Sequence, residues 1–151
     1  MKALVQRVSE ASVTVEADSY HAAIGPGLCV LLGVERGDTS DDAAWIAGKL
    51  ARLRIFRDDE DRMNRSVREI GGEILLISQF TLAGDCRKGN RPSFVRAAPP
   101  ELGAPLYEEV ASHLREKHAL PVKMGRFGAM MQVALVNDGP VTLMVERTPG
   151  S

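Results

Sequence analysis

Few residues of this chain have the types and spacing that catalysis or metal binding usually requires. His113 and His118 are five residues apart, so they would not share a helix face, and no carboxylate or cysteine completes a zinc site with them or with His21. Neither Cys29 nor Cys86 sits in a context that would activate a thiolate. The GxSxG, P-loop and GxGxxG patterns are also missing. The sequence therefore predicts no metal, no cofactor and no conventional side-chain nucleophile.

Polar residues that follow an apolar segment are the first candidates for a functional site. The segment EILLI is followed by SQFTL at residues 78–82, and scaffolds often present functional groups where a strand ends. The Thr81 hydroxyl would need a neighbouring base to act as a nucleophile, and the local sequence supplies none. On composition alone, a strand with a polar end is the simpler interpretation.

The polar loop at residues 83–92 carries a small cluster of positive charge, formed by Arg87, Lys88 and Arg91. Such a cluster suits the phosphates of a nucleic acid, although a solvated loop is the simpler interpretation. Because the net charge of the chain is -1, any contact with RNA must rest on a local patch of this kind.

The segment NDGPVT at residues 137–142 separates two apolar stretches, MMQVALV and VTLMVER. Its composition is typical of a hairpin turn, which needs no function. A proline at the end of a tight turn is also where a cis peptide is found, although only about 5–6% of X-Pro bonds are cis. The segment is therefore a second candidate site.

Strands and helices are predicted around these segments from the hydrophobic pattern. Residues 3–8, with Val13 and Val15 after them, predict a hairpin, and Gly25-Pro26-Gly27 predicts a turn. Further strands are predicted at residues 28–34, 73–80, 122–127, 130–136 and 141–146. One helix is predicted at residues 41–53 after the possible N-cap residues 38–40, and a second begins near Pro99.

This pattern predicts an α+β fold in which antiparallel, barrel-like sheets are covered on one face by two amphipathic helices. The 151 residues predict a single domain, residues 1–151. Composition is ordinary, with 44% hydrophobic and 26% charged residues, and the longest apolar run, residues 28–34, is too short to cross a membrane. No signal peptide is evident, and the separate contexts of the two cysteines favour free thiols in a reducing cytosol.

The two candidate segments together resemble the signature motifs of the D-aminoacyl-tRNA deacylases. SQFTL and NxGPxT lie about sixty residues apart, and the resemblance extends to the opening MKALVQRVSEASVTV, to GNRPSF at residues 89–94 and to MGRFGAMM at residues 124–131. It therefore covers essentially the whole chain. Each motif is weak alone, but their order and spacing make the match specific. Asp138 occupies a variable position of the motif and puts nothing in doubt.

The resemblance implies a cytoplasmic homodimer that hydrolyses the ester joining a D-amino acid, or glycine, to the 3′-terminal adenosine of tRNA. It implies that main-chain groups of Phe80 and Thr81 polarise the ester, with Ser78 and Gln79 beside them at the substrate. The terminal 2′-hydroxyl of the tRNA would assist the cleavage in place of a side-chain nucleophile.

The resemblance also implies that the Gly139-Pro140 peptide is cis and enters the pocket of the partner subunit. There its backbone would exclude an L side chain at the α-carbon, while a D side chain or hydrogen would fit. Gly139 would permit this close approach because it has no Cβ. Asn137 and Thr142 would support the turn.

Two further residues have alternative interpretations. Arg7 shares a strand face with apolar residues and needs a partner there: it forms either an interior salt bridge or, as the resemblance implies, hydrogen bonds to carbonyls of the Gly-Pro turn. Met131 either lines the same pocket or is an ordinary core residue.

Two other classes of function remain open from the sequence. One is a non-catalytic nucleic-acid-binding module that uses the loop from Arg87 to Arg91, although aromatic residues make up only 5% of the chain and offer little stacking surface. The other is a hydrolase that uses Thr81 as a covalent nucleophile.

Overall fold

A computed structural model describes residues 1–148 of the chain. Within these residues the chain forms eight strands, two α-helices and two short 3₁₀ helices, Glu16–Asp18 after the first strand and Phe80–Ala83 after the sixth. The elements are β1 (Lys2–Val15), β2 (Tyr20–Ile24), β3 (Gly27–Gly33), α1 (Ser40–Arg52), β4 (Phe56–Arg57), β5 (Met63–Arg65), β6 (Glu73–Ser78), α2 (Pro100–Glu116), β7 (Val122–Met124) and β8 (Gln132–Glu146).

A mixed, barrel-like sheet forms the centre of the molecule. Its strands run in the order β2-β1-β3-β6-β7, and β8 pairs with β1 along most of its length. The α+β class is confirmed. Antiparallel pairing holds for every partner of β1, but the pairs β3–β6 and β6–β7 are parallel. The prediction of purely antiparallel sheets missed this because α1 and α2 act as crossover connections, which return the chain in the same direction.

The first strand is longer than the sequence pattern predicts. The predicted hairpin in the first fifteen residues is wrong, because β1 continues from Lys2 to Val15 without reversing. Irregularities in its pairing with β8 flank Val8, and the two halves of the strand then pair with β3 and β2 respectively. Both faces of residues 3–8 are apolar because the strand lies inside the sheet, which is not a feature of an isolated hairpin.

The last strand is also continuous. The predicted strands at residues 130–136 and 141–146 are two halves of β8, and both pair with β1 in the same direction. NDGPVT is therefore not a hairpin turn but a bulge within one strand, and the interpretation as a chain reversal is wrong. A bulge of this kind leaves extra residues unpaired and projects them from the sheet.

Both helices pack on one face of the sheet, as predicted. The Asp42 carboxylate accepts hydrogen bonds from the amide and hydroxyl of Thr39 at 2.8 and 3.2 Å, which fixes the start of α1. Between helices and sheet lies one apolar core, which includes Leu28, Val30, Ile46, Leu50, Ile74, Leu76, Leu106, Tyr107, Val110 and Leu114. A smaller cluster occupies the other face, with Val8, Val13, Ile24, Cys29, Leu75 and Ile77. Neither of the two helices is long and apolar enough to cross a membrane.

Candidate active site

The strand β6 positions the first candidate segment. After Ser78 the chain leaves the sheet, while the Gln79 amide still donates a hydrogen bond to the Leu32 carbonyl at 2.7 Å. The 3₁₀ helix then begins at Phe80. Within residues 1–148, the amides of Phe80 and Thr81 donate to no carbonyl or side chain, because the first N–H groups of a helix have no intrahelical acceptor. Two adjacent donors are therefore available to a ligand at this strand end.

The Thr81 hydroxyl lies in surroundings that do not activate it. Its oxygen accepts a hydrogen bond from the Gln79 side-chain amide at 2.6 Å. An amide nitrogen of this kind cannot take up a proton, so it cannot serve as the base that a nucleophilic hydroxyl needs. Thr81 is exposed and stands beside Gln79, and the geometry favours main-chain over side-chain chemistry at this position.

The loop after the 3₁₀ helix returns to this site through an aromatic contact. Asp85 and Ser93 form two main-chain hydrogen bonds of 2.7 and 2.9 Å, which close the loop. Phe94 then packs edge-on against Phe80, with ring centroids 5.3 Å apart. Phe80 is 57% exposed although it is a large apolar residue. The strand end therefore combines free main-chain donors with an exposed aromatic surface.

The basic cluster in this loop carries less free charge than its composition indicates. Arg87 donates to the Asp85 carboxylate at 2.7 and 2.9 Å, and these bonds hold the pKa of Asp85 well below its usual range. Arg87 is thus largely neutralised by its neighbour. Lys88 and Arg91 are exposed and form no ion pair with the described residues, so they are the charges of this loop that remain available to a phosphate.

The second candidate segment projects from the sheet opposite Arg7. Gln6 pairs with Thr142 and Val8 pairs with Asn137, so residues 138–141 bulge out between two paired positions. The Asn137 side chain closes the base of the bulge: its carbonyl oxygen accepts from the Val141 amide at 2.7 Å, and its amide donates to the Val141 carbonyl at 3.2 Å and to the Thr142 hydroxyl at 3.0 Å. The bulge is thus a closed loop held by its own residues.

The tip of this loop is formed by Gly139 and Pro140, which are both exposed and joined by a cis peptide. Gly139 has a φ of +148°, a region that disfavours residues with a Cβ. A Cβ at this position would lie 2.8 Å from Cγ2 of Val141 and 3.1 Å from Nη2 of Arg7. Only glycine fits the tip as it stands.

Arg7 anchors the loop from inside the sheet. Its side chain is almost fully buried, and its Nε donates to the Asp138 carbonyl at 2.8 Å while Nη1 donates to the Ile55 carbonyl at 2.6 Å. The Asp138 carboxylate also lies 3.7 Å from Nε. The two interpretations of Arg7 therefore coexist, since it forms both a carbonyl hydrogen bond and an ion pair with the same loop residue.

Sequence reasoning missed two residues of this anchor. Asp138 was treated as a variable position without consequence, yet its carboxylate lies 3.3 Å from Nη1 of Arg57 as well as near Arg7. Arg57 belongs to the short ribbon formed by β4 and β5, and the Ile55 carbonyl lies just before it. No local sequence signal links residue 57 to residue 138, because the contact depends on how two distant segments fold.

Met131 immediately precedes β8 and is half-buried against the smaller apolar cluster. Its sulfur occupies the space beside Gly125, where a Cβ would lie 2.6 Å from it. In one chain it packs as a core residue, and its role in a pocket stays a prediction.

The two candidate segments do not form one site within a single chain. Arg7, opposite the Gly-Pro loop, aligns through Leu28 with Ile74 near the start of β6, whereas the free amides follow Ser78 at its end. Four residues along a strand span about 13 Å, and β1 and β3 separate β8 from β6 across the sheet. The two segments therefore lie apart within one chain.

The family model for D-Tyr-tRNA(Tyr) deacylase matches residues 4–146 of this chain. The chain belongs to this family. A D-aminoacyl-tRNA deacylase from Chlorobaculum parvum is 55% identical over 146 residues, which are 97% of each chain. The solved structure of a c-Myc DNA unwinding element binding protein is 42% identical, with a TM-score of 0.91 over 98% of this chain and 99% of its own.

The architecture has a more distant counterpart. The solved structure of a probable eukaryotic D-amino acid tRNA deacylase superposes with a TM-score of 0.81 over 95% of this chain and 97% of its own, at 20% identity. At that identity the likeness concerns the fold, and it agrees with the barrel-like sheet and two helices described above.

Proposed function

We propose that this protein is a hydrolase that cleaves the ester bond of D-aminoacyl-tRNA and releases the D-amino acid and the tRNA. The observation that carries the proposal is the pair of unpaired amides at Phe80 and Thr81 beside a hydroxyl that has no base. Such a site can stabilise an oxyanion but is poorly suited to form a covalent acyl-enzyme. Membership of the deacylase family and the names of its relatives support the choice of substrate.

The chemistry then divides between protein and RNA. The two amides would bind the ester oxygen as negative charge develops on it, and one such donor is worth about 3–4 kcal/mol of transition-state stabilisation. Ser78 and Gln79 would shape the pocket beside them. The 2′-hydroxyl next to the ester of the terminal adenosine assists the attack of water, because the protein places no base at this position.

Selectivity would come from the Gly139-Pro140 tip of a partner subunit. The proposed protein is a homodimer, and the tip of one protomer lies against the α-carbon of the aminoacyl group held by the other. Its backbone leaves room for hydrogen or a D side chain and excludes an L side chain, so glycyl-tRNA is also a substrate. Hydrogen bonds of Asn137, Thr142 and Arg7 fix the conformation of the loop that carries this tip.

The remaining parts of the proposal concern location and RNA contact. The enzyme would act in the cytoplasm on charged tRNA. Lys88 and Arg91, with Arg87 in a lesser role, would approach the phosphates near the 3′ end, because their loop begins directly after the 3₁₀ helix.

Two variants of one residue test the chemistry. Thr81→Ala removes the hydroxyl and keeps the amide, whereas Thr81→Pro removes both and is compatible with the first turn of a helix. We expect Thr81→Ala to keep kcat/KM for D-aminoacyl-tRNA within about three-fold and Thr81→Pro to lose about 100-fold or more, the magnitude typical of one oxyanion donor.

A substrate with hydrogen in place of the terminal 2′-hydroxyl completes the test. We expect its hydrolysis by the unaltered protein to be nearly abolished while its binding persists, because the hydroxyl acts only in the transition state. An inactive Thr81→Ala, together with an acyl-enzyme trapped on Thr81 of the unaltered protein, would assign the chemistry to the hydroxyl instead. Binding of tRNA without turnover of any aminoacyl ester would leave a nucleic-acid-binding module as the function.

A further inference from the structure

A second positively charged surface lies at the other end of β6 from the amides of Phe80 and Thr81, next to Ile55, whose carbonyl is bound by Arg7. It surrounds an open cavity of about 400 Å³, lined by Ala51, Arg52, Arg54, Ser66, Arg68, Glu69 and His118. These residues come from three separate segments: the end of α1, the turn before β6 and the segment after α2. The chain as a whole has a net charge of -1, so the concentration of arginines here is local.

The positive charges of this cavity are only weakly neutralised. Arg54 is held by Asn64, through its carbonyl at 3.1 Å and its side-chain oxygen. Glu69 is the one acidic residue of the lining, and its carboxylate accepts the Ser66 amide at 3.0 Å. The side chains of Arg52 and Arg68 form no ion pair or hydrogen bond with any of residues 1–148. Two guanidinium groups of this cavity are therefore not paired with the Glu69 carboxylate or with any other described acidic residue.

The same positive charges affect the pKa of His118. Burial lowers the pKa of His118, and the nearby Arg52, His113, Lys117 and Arg68 lower it further. Cations at the C-termini of α1 and α2 also interact favourably with the helix dipoles, which accounts for Arg52 and His118 individually. Arg68 lies in a turn outside both helices and is not explained in this way.

The cavity and the end of β6 lie at opposite ends of the same elements, α1 and β6. The helix α1 has 13 residues, which correspond to about 20 Å, and it runs from the end of β3 beside the 3₁₀ helix toward the cavity. The strand β6 likewise begins just after Arg68 and Glu69 and ends at the free amides. A polyanion bound at both places must span about 20 Å.

We propose that Arg52, Arg68 and Arg54 form a binding surface for the phosphodiester backbone of the tRNA body, about 20 Å from the strand-end amides of the same protomer. This inference rests on the proposed function, since the active-site end must hold the 3′ terminus. Guanidinium groups suit phosphate oxygens because their donors form a planar fork, and three of them line one cavity that a single backbone segment can enter.

Binding of uncharged tRNA by matched double variants tests the surface. Arg52→Gln/Arg68→Gln removes two charges from the cavity, whereas Lys49→Gln/Arg62→Gln removes two exposed charges that lie outside it. We expect the first pair to weaken binding about ten-fold at low salt and to reduce the slope of log K against log salt by about 1.4–1.8. The control pair should keep the original affinity and slope. Equal effects of the two pairs, or no effect of the first, would overturn the proposal.

A truncated substrate separates this inference from the proposed function. D-aminoacyl-adenosine carries the ester but no tRNA body, so Arg52→Gln/Arg68→Gln should hydrolyse it at the unaltered rate while kcat/KM for D-aminoacyl-tRNA falls through KM. Absence of hydrolysis by the unaltered protein with both substrates would reject the proposed function, whereas the tRNA binding measurement would still decide on the surface. A variant that loses the two activities equally would show that the arginines act at the active site or on the fold.

The His118 imidazole provides a direct readout. A tRNA acceptor minihelix should raise the pKa of His118 in an NMR titration, because a bound phosphate stabilises the protonated ring. Inorganic phosphate at the same phosphate concentration should have a much smaller effect. If inorganic phosphate shifts His118 as strongly as the minihelix does, the cavity binds small anions and the assignment to the RNA backbone is wrong.

Discussion

Single side chains at the two candidate segments act mainly by holding main-chain groups in place. Arg7 binds two carbonyls, Asn137 closes a loop, and the Gln79 side chain binds the Thr81 hydroxyl, while the groups that we propose to contact a ligand are amides and a Gly-Pro backbone. For this reason residue types alone disclose no catalytic machinery. A main-chain site leaves its trace in the residues that support it, and such supports are hard to distinguish from ordinary structural contacts.

The contact between Arg57 and Asp138 is expected to tune selectivity. Arg57→Gln removes an exposed ion pair to the Gly-Pro loop, worth about 0.2–1 kcal/mol, while the Arg7 hydrogen bond to the Asp138 carbonyl remains. We expect hydrolysis of L-aminoacyl-tRNA to rise up to about five-fold, with kcat/KM for the D substrate nearly unchanged, as measured with both substrates. Arg62→Gln is the control, because Arg62 pairs only with Glu60 among the described acidic residues.

Arg7→Lys is expected to raise the hydrolysis of L-aminoacyl-tRNA more than Arg57→Gln does. A lysine cannot reproduce the two divergent hydrogen bonds that Arg7 makes to the Asp138 and Ile55 carbonyls, and the site is buried. An Arg7→Lys protein that still rejects L-aminoacyl-tRNA normally would show that the loop is held by Asn137 alone.

At the scale of elements, the parallel pairing of β3 with β6 positions the end of β6, which precedes the amides of Phe80 and Thr81. This pairing depends on one glycine. A Cβ on Gly27 would lie 1.9 Å from the Glu73 carbonyl oxygen, so Gly27→Ala must push the two strands apart. We expect it to lower the free energy of unfolding by about 1–3 kcal/mol or more, measured by denaturant titration. Gly25→Ala is the matched control in the same turn, since a Cβ there meets nothing within 4 Å. Equal stability of the two variants would contradict this account of the strand contact.

Local sequence patterns predict most of the elements but not their connections. Both helices, the buried strands around residues 28–34 and 73–80, and the single helix-covered sheet face are confirmed. The continuity of β1 and β8 was missed because turn-like residues in the middle of a strand can form a bulge as readily as a reversal. Whether a bulge or a chain reversal forms depends on the pairing with the partner strand. The parallel pairs could have been predicted from the order of helices and strands along the chain, because a helix between two strands of one sheet is a crossover connection.

The candidate site could be predicted only in part for a similar reason. The two segments were recognisable from their composition and from a family resemblance, and the structure locates each at a strand end or bulge. Asp138, Arg57 and Ile55 could not be predicted, because their contacts join segments that are 48 to 131 residues apart. The amides of Phe80 and Thr81 have no sequence signature of their own, since every residue except proline has an amide.

At the scale of the molecule, the exposed apolar residues on the two faces of β8 are difficult to reconcile with an isolated chain. Val133, Val136, Leu143 and Met144 are each 39–49% exposed, and β8 pairs only with β1 among the described strands. An exposed apolar strand with a free edge favours association with another chain. Together with the separation of the two candidate segments, this supports the proposal that each site takes its Gly-Pro loop from a second copy.

Mixing two inactive variants tests this arrangement. Gly139→Ala places a methyl group at the tip of the loop and Thr81→Pro removes an amide at the strand end, so each alone should show little turnover. If each site combines the strand end of one protomer with the loop of the other, a mixed dimer has one doubly altered site and one intact site. Random assembly then restores about a quarter of the sites, because half of the dimers are mixed and half of their sites are intact. We expect hydrolysis of D-aminoacyl-tRNA to return to about a quarter of the unaltered rate after co-refolding, and two different strand-end variants should not rescue each other. Mixed dimers that are verified by mass and remain inactive would show that each chain completes its own site.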